Sequence, residues 1–426
     1  MGIYSTNQIL QHPANSIRSV IPHFARMTRE LRATDEKNIL WLHKIAQLAQ
    51  LLTTGNHSQM REFALELIRQ GKYIGHFYYA QSCFLTANYD EAKQYIDLFL
   101  SYYPYHAEGI YLQAKIFEEL GCTDSAWSVL DNLSLTSKRL KTWMLLSNLI
   151  KDESDLTCFN KRLDLAYQIG MVDLQSFDMV RYRSNAGLRA KKSDFVLDLW
   201  RNTYKKIKKN SFNRRKKFFL PSVYTSFTAS KALSDLRSIL DDAQIECFLI
   251  GGTLLGCVRE NALLAHDKDI DIGVWADIDF ENLRKQIAKS GLFYFVATRT
   301  PKKLMTLKHV NGISVDIFFH TKEKEGYCHE SVKLRWLNSP FELTPRFFLG
   351  QHYLIPKNYD LYLTEHYGEW RYPVSDYDCS IDTKNVEVYD GVEMIAYAYK
   401  QVIELQGTTK ASRYIQILKN YSELVD

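Results

Sequence analysis

The residues best suited to do chemistry lie between Cys247 and Val274. A short apolar run ends in Gly251-Gly252-Thr253, and an acidic cluster containing Asp269 and Asp271 follows it. Glycine lets a backbone approach a phosphate closely because it carries no Cβ. Alternate residues of a strand point to the same face, so the two carboxylates would lie side by side. The pattern predicts a phosphate-binding turn beside a hard-cation site, which is typical of metal-dependent chemistry on a nucleotide.

A third acid, Asp316, stands alone in the apolar run 313–319. A buried acid is costly unless it is paired or bound to a metal. Carboxylates that lie close together also repel one another unless a cation lies between them. Mg²⁺ binds one or two protein carboxylates and completes its shell with water and substrate phosphates. We therefore expect Asp269, Asp271 and Asp316 to be catalytic and to bind Mg²⁺, or Mn²⁺ in its place.

Basic residues nearby are candidates for holding substrate phosphates. Arg259 would lie at the far end of a short helix that begins at Thr253, and a helix N-terminus itself favours a phosphate. Lys268 lies inside the acidic cluster, and Lys308 lies across a predicted hairpin from the neighbourhood of Asp316. For both lysines a surface role is the alternative.

Two histidines and a further acid have weaker claims. His266 and His309 are considered for proton transfer, with a structural role or a solvent contact as the alternative for each. Asp267 is expected to support the metal ligands from outside rather than to bind the metal.

The segments that must position these residues alternate between helix and strand. Apolar spacing predicts helix, strand, strand and helix over Ser226–Asp242, 246–251, 263–274 and 279–290. Strands over 293–298, 305–309 and 313–320 follow, with a hairpin turn at Asn311-Gly312 and helix again over 385–424. This order predicts an α/β domain.

The chain upstream of this domain has helical spacing and an internal repeat. Ala80 and Ala114 are 34 residues apart, as are Ala92 and Ala126, and Pro104 ends the first unit. Small residues at two fixed positions let the helices of a hairpin pack closely, and 34 residues is the tetratricopeptide period. We predict a tetratricopeptide-like repeat region, with a generic helical bundle as the alternative.

A strongly basic segment separates the two regions. Nine of the seventeen residues in 201–217 are basic and none is acidic. The segment is interpreted as a linker, with contact to anionic membrane lipid or to an acidic acceptor polymer as alternatives. Nucleic-acid binding has no further support, so no nucleic-acid partner is expected.

Composition limits the remaining classes. Apolar residues make up 46% of the chain, enough for packed cores. The seven cysteines are odd in number and form no C-x-x-C pair, which argues against a disulfide framework or zinc knuckle and favours a reducing compartment. The N-terminus lacks the features of a signal peptide, and no apolar run reaches ~18 residues. We expect a cytoplasmic protein, with peripheral contact at the inner face of the membrane through the basic segment as a further hypothesis.

At this point a family resemblance is visible. The segment GGTLLGCVRENALLAHDKDIDIG resembles the signature of the LicD family of nucleotidyltransferase-fold proteins, which includes fukutin and fukutin-related protein. The matching positions are Gly251 to Gly256, Val258-Arg259, Asp267, Asp269 and Asp271, and later Tyr367, Gly368 and Trp370. The resemblance covers residues 225–385 and does not reach the helical half.

Two departures from the family pattern concern the acidic cluster. Lys268 stands where the family usually has a second consecutive Asp, and Ala265-His266 replaces the usual Pro-Trp. The metal-binding acids survive, so activity is expected, with a substrate pocket that differs from the usual one.

The resemblance implies transfer of a phospho-alcohol group, phosphocholine or an alditol phosphate, from a cytidine diphosphate (CDP)-activated donor to a glycan. The setting would be capsule, lipopolysaccharide or similar polysaccharide assembly, and the helical repeats would recruit acceptor or a protein partner. Asp316 is the candidate for the base that accepts the acceptor's proton. The substrate-binding candidates are Gly251, Gly252, Thr253, Arg259, Lys268, Lys308, Tyr367 and Trp370.

Two other functions remain open. One is a nucleotidyltransferase that acts on a small acceptor and releases pyrophosphate. The other is a non-catalytic scaffold built on the repeats, with a degenerate transferase domain; the three surviving acids count against it.

The predicted layout has three consecutive parts. Residues 1–185 are a helical tetratricopeptide-like domain, residues 186–220 a basic linker, and residues 221–426 a LicD-like catalytic domain. The fold class is therefore an α-helical repeat domain followed by an α/β domain of nucleotidyltransferase fold.

Overall fold

A computed structural model describes residues 13–34, 41–208, 224–265, 267–374 and 376–423. The chain is helical as far as Lys208, and a mixed sheet with further helices follows. The predicted fold class, a helical N-terminal region followed by an α/β domain, is confirmed.

The chain divides into two compact units, and each combines two separate stretches of sequence. The first unit contains Met1–His106 and Leu220–Glu387, and the second contains Ala107–Phe219 and Val388–Asp426. This division differs from the three consecutive segments predicted from the sequence. The reason is that the first helices pack with the sheet domain, whereas the last helices pack with the central helices.

The first unit begins with five helices. They are α1 (Pro13–Arg32), α2 (Trp41–Thr53), α3 (His57–Arg69), α4 (Ile74–Leu85) and α5 (Tyr89–Tyr102). Ala80 and Ala92, the small residues of the predicted repeat, are fully buried where α4 packs on α5. Ala46 is only partly buried and Ser58 is exposed, which agrees with the loss of the repeat pattern upstream.

The second unit is entirely helical apart from one strand residue at its edge. Its helices are α6 (Ala107–Glu119), α7 (Thr123–Ser134), α8 (Leu140–Leu149), α9 (Glu153–Gln168), α10 (Phe177–Arg189) and α11 (Ser193–Lys208), with two more at the C-terminal end. Ala114 and Ala126 are fully buried, as the 34-residue spacing predicts for a helical hairpin. The tetratricopeptide assignment itself stays a prediction.

Part of the predicted linker is a packed helix. Helix α11 lies within 186–220, and it buries Val196 and Trp200 completely or nearly so. The indole of Trp200 donates to Ser184 Oγ at 2.9 Å. Basic residues therefore occupy the exposed side of an amphipathic helix here. Residues 209–217 of the basic segment lie outside the described residues.

A ten-stranded mixed sheet forms the centre of the first unit. Its elements are α12 (Ser226–Asp242), β1 (Cys247–Leu249), α13 (Gly251–Leu255), β2 (Asp269–Trp275), α14 (Phe280–Lys289), β3 (Phe293–Phe295), β4 (Leu304–His309), β5 (Ser314–Lys322), β6 (Tyr327–Glu330), β7 (Leu334–Asn338), β8 (Leu343–Phe348), β9 (Gln351–Pro356), α15 (Tyr359–Tyr367) and β10 (Val386–Val388). The C-terminal helices of the second unit are α16 (Gly391–Glu404) and α17 (Ala411–Asn420).

Strand β5 is the junction of the sheet. The strand order is β10-β7-β6-β5-β2-β1-β9-β8, and the hairpin β3–β4 joins at β5 as well. The first part of β5 pairs in parallel with β2 and antiparallel with β4, and its last residues pair with β6. Two strands that are not adjacent in sequence order, β2 and β5, therefore lie side by side.

Alternation along β2 and β5 separates a core face from a second face. Ile270, Ile272 and Val274 are buried in the core, as are Val315 and Ile317 of β5. Successive side chains of a strand point to opposite faces. The acids Asp269, Asp271 and Asp316 consequently share the face that is turned away from this apolar layer.

The first helices of the unit hold the edge hairpin β3–β4. His57 Nε2 lies 2.7 Å from the carbonyl oxygen of Gly291, and His23 Nε2 lies 2.7 Å from that of Val310. Burial lowers the pKa of both histidines, so each ring is neutral and donates to its carbonyl. These bonds lie immediately before β3 and after β4, which explains why residues 1–106 belong to the sheet unit.

Two general expectations can be compared with the fold. Among the described residues, no helix has both the length and the apolar content that a membrane crossing requires. All seven cysteines are free thiols, which agrees with the predicted absence of a disulfide framework.

The packing of His57 against Gly291 predicts a specific loss of stability in Gly291→Ala. Gly291 has φ +70°, and a Cβ at this position would lie 2.5 Å from His57 Cδ2. Gly71→Ala is the matched control, because Gly71 has φ +72° but open space around a Cβ. We expect the control to lose about 1 kcal/mol from backbone strain and Gly291→Ala to lose roughly 1–3 kcal/mol more. Urea denaturation measures both, and equal losses would contradict this packing.

Candidate functional site

The site is built on the parallel pair β2–β5. Asp271 and Asp316 are direct partners across the two strands, and Asp269 is the partner of Ser314. Directly opposed residues on one face have Cβ atoms about 5 Å apart. The pairing thus brings together three acids that lie up to 47 positions apart in the sequence. The placement agrees with the predicted metal-binding acids.

Crowding and burial disfavour the ionised form of these carboxyls. Burial raises the pKa of Asp271 well above its ordinary value, and the charges of Asp269, Asp316 and Asp267 add to this effect. Burial also raises the pKa of Asp269, and raises that of Asp267 to about 7. Asp267 and Asp269 share a hydrogen bond, which requires a proton on one of them. The four acids therefore form one interacting group, with Asp267 closer to the centre than predicted.

The glycine turn makes room for these carboxylates. Helix α13 begins at Gly251, which has φ +53°, and a Cβ there would lie 2.7 Å from Asp271 Oδ2. A Cβ on Gly252 would lie 2.4 Å from Asp267 Oδ2. The sequence analysis assigned this freedom to the approach of a phosphate. The structure shows that the protein's own acids occupy the space, while contact of the turn with a phosphate stays a prediction.

The same turn donates hydrogen bonds to the acidic strand. The Gly252 amide donates to the Asp271 carboxylate, which lowers the pKa of that carboxyl and partly offsets its burial. The Asp271 amide donates to Thr253 Oγ1 at 2.9 Å, and Thr253 is almost fully buried. Thr253 consequently fixes the acidic strand instead of facing a substrate.

Asp316 has one carboxyl oxygen with unused hydrogen-bonding capacity. Among the described residues, no group bonds to its buried Oδ1. Burial raises the pKa of Asp316 to about 6, while a hydrogen bond from the side chain of Thr306 acts in the opposite direction. Thr306 is its direct partner on β4. Thr306 was missed in the sequence analysis; its place two residues before Lys308 on a strand is the signal that would have indicated it.

Lys308 lies in the same face of the sheet as the acids. It is the partner of Ser314, and Ser314 is the partner of Asp269, so the three residues form one row across β4, β5 and β2. Its side chain is exposed. Lys268 is also exposed, and its amide donates to Asp267 Oδ1 at 3.1 Å. Both lysines are available to a ligand at the rim of the acidic face.

Arg259 and Trp370 make contacts within the protein. Arg259 Nε donates to Glu260 Oε1 at 2.8 Å, and its Nη1 donates to the carbonyl oxygen of Trp370 at 3.1 Å. The Trp370 indole donates to Asp360 Oδ1 at 3.1 Å, and the ring is buried. These bonds tie the turn after α13 to the end of α15. Their predicted contact with substrate remains a prediction.

Three tyrosines surround the acids. Burial raises the pKa of Tyr224, Tyr362 and Tyr367, and the negative charge of Asp271 raises each further. Of the three, only Tyr367 was a predicted site residue. Tyr362 precedes it on the same helix at a distance of five residues, and Tyr224 immediately precedes α12. Neither position has a sequence signal of its own, because their approach to Asp271 depends on the tertiary fold.

The two candidate histidines are not both within the described structure. His309 is buried on the other face of β4 from Lys308, and its Nε2 lies 3.1 Å from Asp235 Oδ2 of α12. This contact supports the structural alternative for His309. His266 lies outside the described residues.

The chemistry of the acids suits a divalent cation that is shared with a ligand. No cluster of three or more His, Cys, Asp or Glu side chains among the described residues is arranged so that it alone could hold a metal ion. Mg²⁺ needs only one or two carboxylates when phosphates and water complete its shell. The unbonded Oδ1 of Asp316 and the mutual repulsion of Asp269 and Asp271 fit that arrangement. Metal binding stays a prediction.

Comparison with known families supports the same region. Residues 244–363 match the family described as LicD/FKTN/FKRP, nucleotidyltransferase domain. The match covers β1, α13, β2 and β5, and so it includes all three predicted metal-binding acids. It ends within α15, before Tyr367 and Trp370.

A protein of Rickettsia prowazekii (strain Madrid E), described as uncharacterized, is also similar to this chain. The two are 28% identical over 141 residues, which is 32% of this chain and 47% of the other protein. The chain thus spans about half the length of that relative. The family match, the resemblance of the glycine turn and the acidic strand agree with one another. Residues 244–363 are therefore a nucleotidyltransferase domain of the LicD family, a transferase-type domain.

Proposed function

We propose that this protein transfers a phospho-alcohol group, phosphocholine or an alditol phosphate, from a CDP-activated donor to a glycan. The observation that carries the proposal is the pairing of Asp271 with Asp316 beside Asp269 on one face of the sheet. The family match supports transferase chemistry at this face. Assembly of a cell-surface polysaccharide is the proposed setting.

Asp269 and Asp271 would hold the divalent cation, Mg²⁺ or Mn²⁺. When bound, the cation supplies positive charge against the two phosphates of the donor and the departing nucleoside monophosphate. The exposed Lys308 and Lys268 lie at the rim of the acidic face, where they would attract the same phosphates. This division of roles explains why the basic residues lie outside the crowded centre.

Asp316 is the proposed acceptor of the proton from the attacking hydroxyl. One of its oxygens has no bond among the described residues, and its pKa is raised to about 6 by burial. A general base works best when its pKa lies near the working pH. The hydroxyl would attack phosphorus on the side opposite the leaving group, so positioning and charge supply most of the catalysis.

The alternative, a nucleotidyltransferase acting on a small acceptor, shares the site and differs in product. Attack on the phosphorus next to the alcohol releases cytidine monophosphate, whereas attack on the phosphorus next to the nucleoside of a triphosphate releases pyrophosphate. An assay with Mg²⁺ and CDP-choline, CDP-ribitol or CDP-glycerol separates the two. Release of cytidine monophosphate supports the proposal, and pyrophosphate released from a nucleoside triphosphate supports the alternative.

Asp269→Asn should abolish this release while leaving the fold intact. We expect a loss of about a hundredfold or more, because a correctly held cation supplies several kcal/mol of stabilisation. Asp277→Asn is the matched control, since Asp277 is an exposed acid in the turn after the same strand. Turnover of each CDP-alcohol and circular dichroism are measured on both variants. Full activity in Asp269→Asn would exclude Asp269 as a metal-binding residue.

The raised pKa of Asp316 predicts a stability difference that depends on pH. The folded carboxyl has a pKa of about 6, above its ordinary value of 3.8, so the folded state binds a proton more tightly than the unfolded state. The stability contributed by this proton is present at low pH and is lost as the pH rises through 6. Asp316→Asn should therefore be more stable than the wild type at pH 8 without metal.

Denaturation of both proteins at pH 5 and pH 8 measures this effect, and the buried histidines cancel because both proteins contain them. Between pH 8 and pH 5 the wild type should gain about 1.4 kcal/mol relative to Asp316→Asn. Mg²⁺ at pH 8 should raise the melting temperature of the wild type more than that of the variant. Parallel pH curves and equal responses to Mg²⁺ would show that Asp316 is not part of a cation site.

A further inference from the structure

The helical second unit contains a cavity that the transferase site does not use. It has a volume of about 490 Å³ and lies between α10, α11 and the loop that precedes α10. This volume is within the range of pockets that bind small molecules. Its polar and charged lining is formed by Gln175, Arg183, Asp198, Asn202, Thr203, Lys205 and Lys206.

Arg183 is the side chain that sets the chemistry of this cavity. Its guanidinium carbon lies 5.8 Å from the ring centre of Phe195, which also lines the cavity. Its buried Nε bonds to no acceptor among the described residues. Burial lowers the pKa of Arg183, and the charge of Asp164 acts against that change. A partly desolvated guanidinium with an unused donor is stabilised by an anion that accepts from it.

The charges around Arg183 also favour an anion. Of the charged lining residues three are basic and one is acidic, which gives a net charge of +2. The acid, Asp198, lies 3.2 Å from Nη1 of Arg201 and is thereby partly neutralised. Lys205 and Lys206 are exposed at the surface. Three positive groups match the double charge of a phosphate monoester better than the single charge of a carboxylate.

The remaining lining indicates that the ligand is larger than an inorganic ion. Leu174, Val180, Phe195 and Leu199 form an apolar part of the wall. The amide of Asn202 is exposed and can bond to hydroxyl groups. An anion that carried a carbon skeleton with hydroxyl groups would use both kinds of surface, whereas phosphate alone would fill a small part of the volume.

We infer that the cavity between α10 and α11 binds a phosphate monoester of a small polyol or sugar, with Arg183 as its principal ligand. Such a group occurs on free metabolites and on phosphorylated lipid headgroups. The inference does not depend on the transferase activity of the first unit, because every residue that carries it belongs to the second unit.

Calorimetric titration of the full chain with glycerol 3-phosphate tests this inference, with glycerol and inorganic phosphate as comparison ligands. We expect glycerol 3-phosphate to bind, inorganic phosphate to bind more weakly and glycerol not to bind. Affinity should fall as salt concentration rises. Vesicles containing phosphatidic acid form a separate arm: binding to them but not to glycerol 3-phosphate would overturn the inference of a small soluble ligand.

Arg183→Gln should weaken binding of glycerol 3-phosphate by roughly tenfold or more, because it removes a charge-assisted bond. Arg181→Gln is the matched control on the same helix, since Arg181 is exposed and lies 3.4 Å from Asp178. Lys205→Gln, at an exposed position, should weaken binding several-fold, and it serves as a second test if Arg183→Gln does not fold. Absence of binding to the wild type up to about 10 mM would overturn the inference. Equal binding by the wild type, Arg183→Gln and Lys205→Gln would also overturn it.

Discussion

The mutual repulsion of carboxylates on one face of a sheet is the constraint on which the rest of the site depends. Asp271 and Asp316 are held as neighbours by the parallel pairing of β2 and β5, and Asp269 and Asp267 lie close enough to raise their pKa values. Such a group is unfavourable in a folded protein unless protons or a cation compensate it. The fold therefore keeps a local instability at this position, which is typical of sites that bind a charged ligand.

The surrounding elements hold the acids in place against this repulsion. The turn at Gly251-Gly252 leaves space for two carboxylates and donates an amide to one of them. Thr253 bonds to the strand from the same turn. On the opposite side, the hairpin β3–β4 brings Thr306 to Asp316, and the first helices fix that hairpin through His57 and His23. The helical N-terminal residues thus support the catalytic sheet directly, in addition to any role in binding a partner.

The sequence predicted the parts of the site that depend on local pattern. Helix α12 has the predicted bounds, and the acids of β2 and β5 share a face because strand alternation requires it. The strands from β6 to β9 were not predicted, since their short segments have no clear alternation. The contributions of Thr306, Tyr224 and Tyr362 were also missed, because each depends on a contact between distant segments. The predicted linker failed as a description of α11, whose basic residues cover the exposed side of a helix that buries Trp200.

The central claim is that the acidic face binds a divalent cation through Asp269 and Asp271. The most direct test is titration with Mn²⁺ at neutral pH, followed by electron paramagnetic resonance of the free ion. The account predicts a single Mn²⁺ site in the wild type that is tightened by a CDP-alcohol and lost in Asp271→Asn. Mn²⁺ binding that is absent from the wild type with the donor present, or that is unchanged in Asp271→Asn, would contradict it.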